Sequence, residues 1–192
     1  MEDDVMRKTL AAGLFALALS VPVMAAPAGA QTLLFQAQPI IKAAVENNYD
    51  TMRSLLVKGT SANTSDGNGK TPLMYAAAAA NPDIVQLLLE NKGNPNQVDR
   101  NGNGPLFWAA GQGDATVIEL LVKGGAKIDM ENRQGATALM EAARSGKLEA
   151  VQKLIALGSK VDRLDYTGRS ALDWALEGRS QRIIAALKQA GG

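Results

Sequence analysis

Thr71-Pro72-Leu73-Met74-Tyr75-Ala76-Ala77 is the stretch that decides the architecture. Its opening triplet returns as Gly104-Pro105-Leu106, Thr137-Ala138-Leu139 and Ser170-Ala171-Leu172, each 33 residues after the last. One step backwards lands on Gln38-Pro39-Ile40, which makes five copies. A fixed period of this size means a row of small supersecondary units rather than one globular core. Within the unit, Thr or Ser N-caps a helix, and Pro fits the first helical position because its missing N–H leaves no bond unmade. The paired alanines that follow let neighbouring helices approach closely.

Other columns keep the same step. Leu55, Leu88, Leu121, Leu154 and Leu187 form one, and Ala43, Ala76, Ala109, Ala142 and Ala175 another. Asp66, Asp99, Asn132 and Asp165 precede Gly69, Gly102, Gly135 and Gly168 by three residues. Asp-x-x-Gly is a turn: the Asp side chain accepts backbone N–H groups and Gly tolerates positive φ. Asn63, Asn96, Asp129 and Asp162 form a further column. A second helix in each unit carries a stripe such as Ile84, Val85, Leu88 and Leu89 and ends at Gly59, Gly125 or Gly158. One unit cannot bury its stripe alone, so the units must stack.

The pattern resembles the ankyrin repeat, whose consensus contains Thr-Pro-Leu-His-x-Ala-Ala and Leu-Leu-x-x-Gly-Ala. The resemblance runs from about residue 36 to 192 and implies an all-α repeat solenoid, a helix-turn-helix plus turn in each unit. The repeats fall at about 36–66, 67–99, 100–132, 133–165 and 166–192, inside a domain of residues 31–192. There are departures. The consensus His is replaced by Met74, Phe107, Met140 and Asp173. Lys92 occupies a Gly column with Gly93 one residue later, so a local shift of that turn is expected. The first copy lacks the Asp-x-x-Gly turn, and Ser180, Gln181, Arg182, Lys188 and Gln189 give the last copy a polar end.

The resemblance also implies a concave face that binds another protein. The column two residues after each core Leu, placed toward that face in the family, holds Tyr75, Trp108 and Trp174, with Lys42 and Glu141 in the remaining copies. The turn tips add Lys70, Arg100, Arg133, Tyr166 and Arg169, and the ends of the first helices add Gln112 and Arg144. Aromatic residues and Arg are the types that dominate binding interfaces. Two readings of the aromatic column stay open: it contacts a partner, or it packs between adjacent inner helices.

Composition limits the alternatives. The 192 residues carry 20 Lys and Arg against 19 Asp and Glu, a net charge of +1, with no clustering that would suit nucleic acid. There is no Cys and no His, which removes disulfides, thiolate nucleophiles and the commonest base and metal ligand. No catalytic residue, cofactor or metal site is expected. An enzyme would need perturbed carboxylates or lysines in a cleft. Self-assembly is the other rival, and polar ends favour a monomer.

Two motifs resemble ligand loops and fail. Gly69-Lys70-Thr71 lacks the Gly that a phosphate-binding loop needs five residues earlier, where Thr64 stands. Asp99 to Gly104 matches the first half of a calcium loop, but its twelfth position is Ala110 in place of Glu. Both segments are explained as repeat turns.

The N-terminus reads as an address. Arg7 and Lys8 precede an apolar run from Leu10 to Val21, and Ala28-Gly29-Ala30 offers a cleavage site before Gln31. The run is shorter than the ~20 apolar residues of a membrane span. Residues 1–30 are therefore expected to be a signal peptide, with translation starting at Met6 because Glu2, Asp3 and Asp4 do not suit a basic leader. Export across the inner membrane places the mature chain in the periplasm, with no membrane insertion after cleavage. A small exported protein of this kind suits two jobs, supporting an envelope enzyme or neutralising a secreted toxin as an immunity protein.

Overall fold

The computed structural model describes residues 38–191, among which there are ten helices and no strand. The segment read as a signal peptide lies outside the described residues. The helices come in pairs: α1 Pro39–Val45 with α2 Tyr49–Val57, α3 Pro72–Ala78 with α4 Pro82–Glu90, and α5 Pro105–Gln112 with α6 Ala115–Lys123. α7 Ala138–Arg144 pairs with α8 Leu148–Ala156, and α9 Ala171–Glu177 with α10 Gln181–Gly191. Five pairs match the five sequence copies.

Caps set the starts. The hydroxyls of Thr71, Thr137 and Ser170 accept the N–H of Met74 at 3.3 Å, Met140 at 3.4 Å and Asp173 at 3.2 Å. Asn48, Asn81 and Asp114 do the same for α2, α4 and α6. Gly104 breaks the pattern at the start of α5, which has no side-chain cap. The Met130 methyl fills the place a side chain at 104 would take.

Odd-numbered helices pack on one another in chain order and form an inner layer, and even-numbered helices form an outer layer. The alanine column lies in the inner layer, fully buried, which is what allows the close approach. Leu88, Leu121 and Leu154 of the outer layer are also fully buried, whereas Leu55 of the first repeat is only partly covered. Each such Leu contributes ~1.5–3 kcal/mol by leaving water. Met74 and Met140, at the consensus His position, are buried and fill that site by packing.

Polar columns connect the repeats at both edges. At one edge Asn63 donates from Nδ2 to Lys92 O at 2.9 Å and accepts from Asn94 N at 2.7 Å. Asn96 repeats this with Gly125 O and Lys127 N, and Asp129 accepts from Ser159 Oγ and Lys160 N. At the opposite edge the turn tips touch: the N–H of Arg100 donates to Asn68 O, that of Arg133 to Asn101 O, and that of Tyr166 to Gln134 O, at 2.9–3.0 Å. On the outer helices Glu119 accepts from Lys123 at 2.6 Å and from Lys153 of the next repeat at 2.8 Å. The Lys123 bond first, and then the Lys153 bond, pull the Glu119 carboxyl down to about 2.

The expected shift at Lys92 does not occur. Lys92 takes φ +63° itself, in register with Gly59, Gly125 and Gly158 at +86°, +94° and +93°. The N–H of Gly93 then closes on Leu88 O at 2.8 Å, as the N–H of Thr60 closes on Leu55 O at 3.0 Å in the first copy. The Asn63 amide of the preceding repeat donates to Lys92 O and helps hold the turn in register against the residue's preference. The left-handed region costs a non-glycine residue ~1–2 kcal/mol, and glycine returns ~0.4–1 of that as unfolded-state entropy. Lys92→Gly is therefore expected to raise stability by about 0.5–1 kcal/mol, read as a higher urea midpoint. A lower midpoint would show that the lysine is not strained there.

Candidate functional site

The inner face is organised by the turn aspartates, whose two oxygens do different work. One oxygen of Asp66 accepts the N–H of Asn68 and of Lys70, both at 2.8 Å. Asp99, Asn132 and Asp165 close their turns in the same way. The second oxygen reaches the inner helix. Asp66 Oδ2 accepts the Tyr75 hydroxyl at 2.7 Å, and Asp165 Oδ2 accepts Trp174 Nε1 at 3.1 Å. Trp108 in the third repeat lacks this bond, and its Nε1 is buried with no partner. In the fourth repeat Asn132 replaces the Asp, and its Nδ2 donates to Asn103 Oδ1 at 2.9 Å.

Charge follows the geometry. Burial pushes the Asp66 carboxyl up, but the Tyr75 hydroxyl and the Lys70 and Asn68 N–H groups outweigh it and hold it below the usual range. Asp165 is likewise lowered against burial, by Thr167, the Arg169 N–H and Trp174. Burial, then the bond to Asp66, then its charge push the Tyr75 phenol up to about 12. A folded value above the ordinary ~10 contributes stability below pH ~10 that is lost as pH rises through about 12. The lowered Asp66 acts at the other end: its contribution is present above the ordinary carboxylate range and is lost on acidification. A phenolate absorbance titration is expected to show one of the three tyrosines ionising only near pH 12, a step that Tyr75→Phe removes. Three tyrosines titrating together near pH 10 would contradict the bond.

Cations cover the aromatic rings. Lys70 Nζ stands 3.5 Å from the Trp108 ring centroid, one repeat on, and 5.5 Å from that of Tyr75. The Arg169 guanidinium lies 3.8 Å from the ring centroid of Trp174 in its own repeat. Such stacks are worth ~0.5–2 kcal/mol, enough to hold a long side chain in place. Between the two stacks the pattern fails: Asn103 and Ala136 stand where Lys70 and Arg169 stand in their repeats, and Glu141 replaces the aromatic residue. The loss of bulk leaves a cleft of about 590 Å³ with Trp174, Phe107 and Met140 in its walls. Glu141 folds back beside Gly111, where a side chain at 111 would crowd it.

The ten residues expected at the site separate into groups. Arg144, Arg169 and Trp174 line the cleft. Lys70, Tyr75 and Trp108 form the stack one repeat away, and the three aromatic side chains also pack on the core. Arg100 and Arg133 are exposed at the tips, Gln112 is exposed at the end of α5, and Tyr166 is 73% exposed with its ring over Gly135. The cleft adds Asn101, Asn103, Asn132, Gln134 and Thr167, none of which were expected at the site. The signal for them was the absence of a bulky side chain at Ala136, in the column that holds Lys70 and Arg169.

Among the described residues, no cluster of acidic side chains is placed to hold a metal ion, and no helix is long and apolar enough to cross a membrane. The Asp66 and Asp165 carboxyls, both lowered, are committed to closing their turns.

No curated protein matches this chain in sequence. A family model described as ankyrin repeats (3 copies) matches residues 40–132 and again 106–191. Ankyrin repeats are generally protein–protein interaction modules, and proteins built from them are typically not enzymes. Both matches fall on the stacked helix pairs and together cover well over half of the sequence, so the chain belongs to the ankyrin-repeat family.

Proposed function

We propose that this is an exported, monomeric binding module of the cell envelope that holds another protein against its tips and inner helices and performs no catalysis. The observation that carries the reading is the row of exposed cationic tips, Arg100 and Arg133, beside two cation-capped aromatic stacks and an open cleft on one face. Rigid aromatic and Arg groups of this kind supply hot spots. Export rests on the basic start, apolar run and Ala28-Gly29-Ala30 site.

Capture of a partner from envelope extract by the mature chain tests the reading. The double substitution Trp108→Ala with Arg133→Glu is expected to abolish capture while circular dichroism stays helical. Unchanged capture would remove this face from the account. N-terminal sequencing of the exported protein is expected to begin at Gln31, and a retained leader would refute export by cleavage.

A further inference from the structure

The cleft between the third and fifth repeats has an excess of hydrogen-bond donors. Asn103 is 8% exposed and accepts from Asn132 through Oδ1, but its Nδ2 meets no acceptor among the described residues. Arg144 is fixed by Glu141 through Nε at 3.0 Å and Nη2 at 2.8 Å, and its Nη1 has no partner among the described residues. Arg169 is fixed by Thr167 through Nε and by Glu177 through Nη1, and its Nη2 has no partner among the described residues. The acidic groups in the walls are already engaged by other groups of the chain. Both Glu141 oxygens accept from Arg144, one of them also from Ser145, and both Asp165 oxygens are taken by Thr167, Arg169 and Trp174. A ligand that brings acceptors complements these donors.

We propose that this cleft takes an Asp or Glu side chain from an extended segment of the partner, its carboxylate held by Arg144 and Arg169 with Asn103 beneath it. The inference rests on the reading that the partner is a protein docked on this face. A planar carboxylate matches the free edge of a guanidinium and forms charge-assisted bonds. Each arginine already shares one carboxylate, and the partner's carboxylate would take the guanidinium edge that each leaves open. A doubly charged phosphoryl group would sit beside Glu141 and Asp165 and be repelled. A sugar ring would need an open Trp face, and Arg169 covers that of Trp174. About 590 Å³ holds a side chain with its flanking backbone.

Selection of random linear peptides, held in a carrier loop so that neither terminus is free, tests this on the mature chain. The selected sequences are expected to share one acidic position. A synthetic, end-blocked version should lose affinity by at least about tenfold when that residue becomes its amide, the size of one charge-assisted contact. Arg144→Gln, Arg169→Gln and Asn103→Ala should weaken binding, with Arg144→Lys intermediate, whereas Arg53→Gln, exposed on the outer helix of the first repeat, should not. Absence of a shared acidic position, equal binding of the amide peptide, or cleft variants that are helical by circular dichroism yet bind unchanged would each overturn the proposal. Tighter binding of a phosphoserine version would reassign the cleft to phosphate. Partner capture that is lost with Trp108→Ala and Arg133→Glu but indifferent to Arg144→Gln would sink this inference and leave the binding-face reading standing.

Discussion

Leu121→Ala is expected to lower the unfolding free energy by about 2–5 kcal/mol, the range for deleting a large core side chain whose cavity cannot collapse. Leu121 is fully buried in α6, which packs on α4 before it and α8 behind it. The cavity would open at the contact between two repeats, and inter-repeat contacts carry much of a solenoid's stability. Leu55 occupies the same column in the first repeat, where, among the described residues, one outer helix packs against its own and the side chain is partly exposed. Leu55→Ala should therefore cost clearly less. Urea denaturation followed by circular dichroism reads both, as a fall in midpoint at unchanged slope. Equal losses at the two sites would mean that the outer layer is not the continuous core described above.

The difference between these leucines shows what a period makes visible. Stacking demands the same chemistry at the same step, so Leu88, Leu121 and Leu154, the alanine column and the Asp-x-x-Gly turns could all be read from spacing alone. A column does not say which side chain from one repeat lies over another. Lys70 reaches Trp108 in the next repeat, while Arg169 turns onto Trp174 in its own. Nor does it say where a gap falls. Ala136 and Glu141 are unremarkable residues in themselves, and they open a cleft only because their neighbours fill the equivalent space. The turn at Lys92 departs from expectation for a related reason: local preference argues for a shift, and the hydrogen bond from Asn63 of the preceding repeat helps hold the lysine in a glycine conformation. Of the two readings of the aromatic column, the geometry bears on packing, because Tyr75, Trp108 and Trp174 all lie against the core. Tyr75 and Trp174 bond their turn aspartates, and the rings of Trp108 and Trp174 carry the cations that face outward.

Gly102→Ala is expected to be far more damaging than the same change at Gly168, although both glycines have φ near +80°. The left-handed backbone alone costs an L-residue ~1–2 kcal/mol. Gly168 isolates that cost, because nothing lies within 4 Å of where its Cβ would be. At Gly102 the new methyl would come within 2.8 Å of Arg133 N and 3.2 Å of Asn132 C. These are backbone atoms of the next turn and cannot rotate away. Arg133 N is also the donor to Asn101 O at 3.0 Å that ties the two tips together, a bond worth ~0.5–1.5 kcal/mol. Relieving the clash means moving the fourth repeat's tip, which breaks that bond and displaces Asn132, the residue that orients Asn103 under the cleft. Gly168→Ala should therefore cost about 1–2 kcal/mol and leave peptide binding alone. Gly102→Ala should cost at least ~2–3 kcal/mol and weaken binding as well, since strain and the broken bond add. Chemical denaturation of both variants beside a peptide titration separates the outcomes. If the two substitutions cost the same, the tips are not in contact, and the row of turns is not the rigid edge on which the binding face depends.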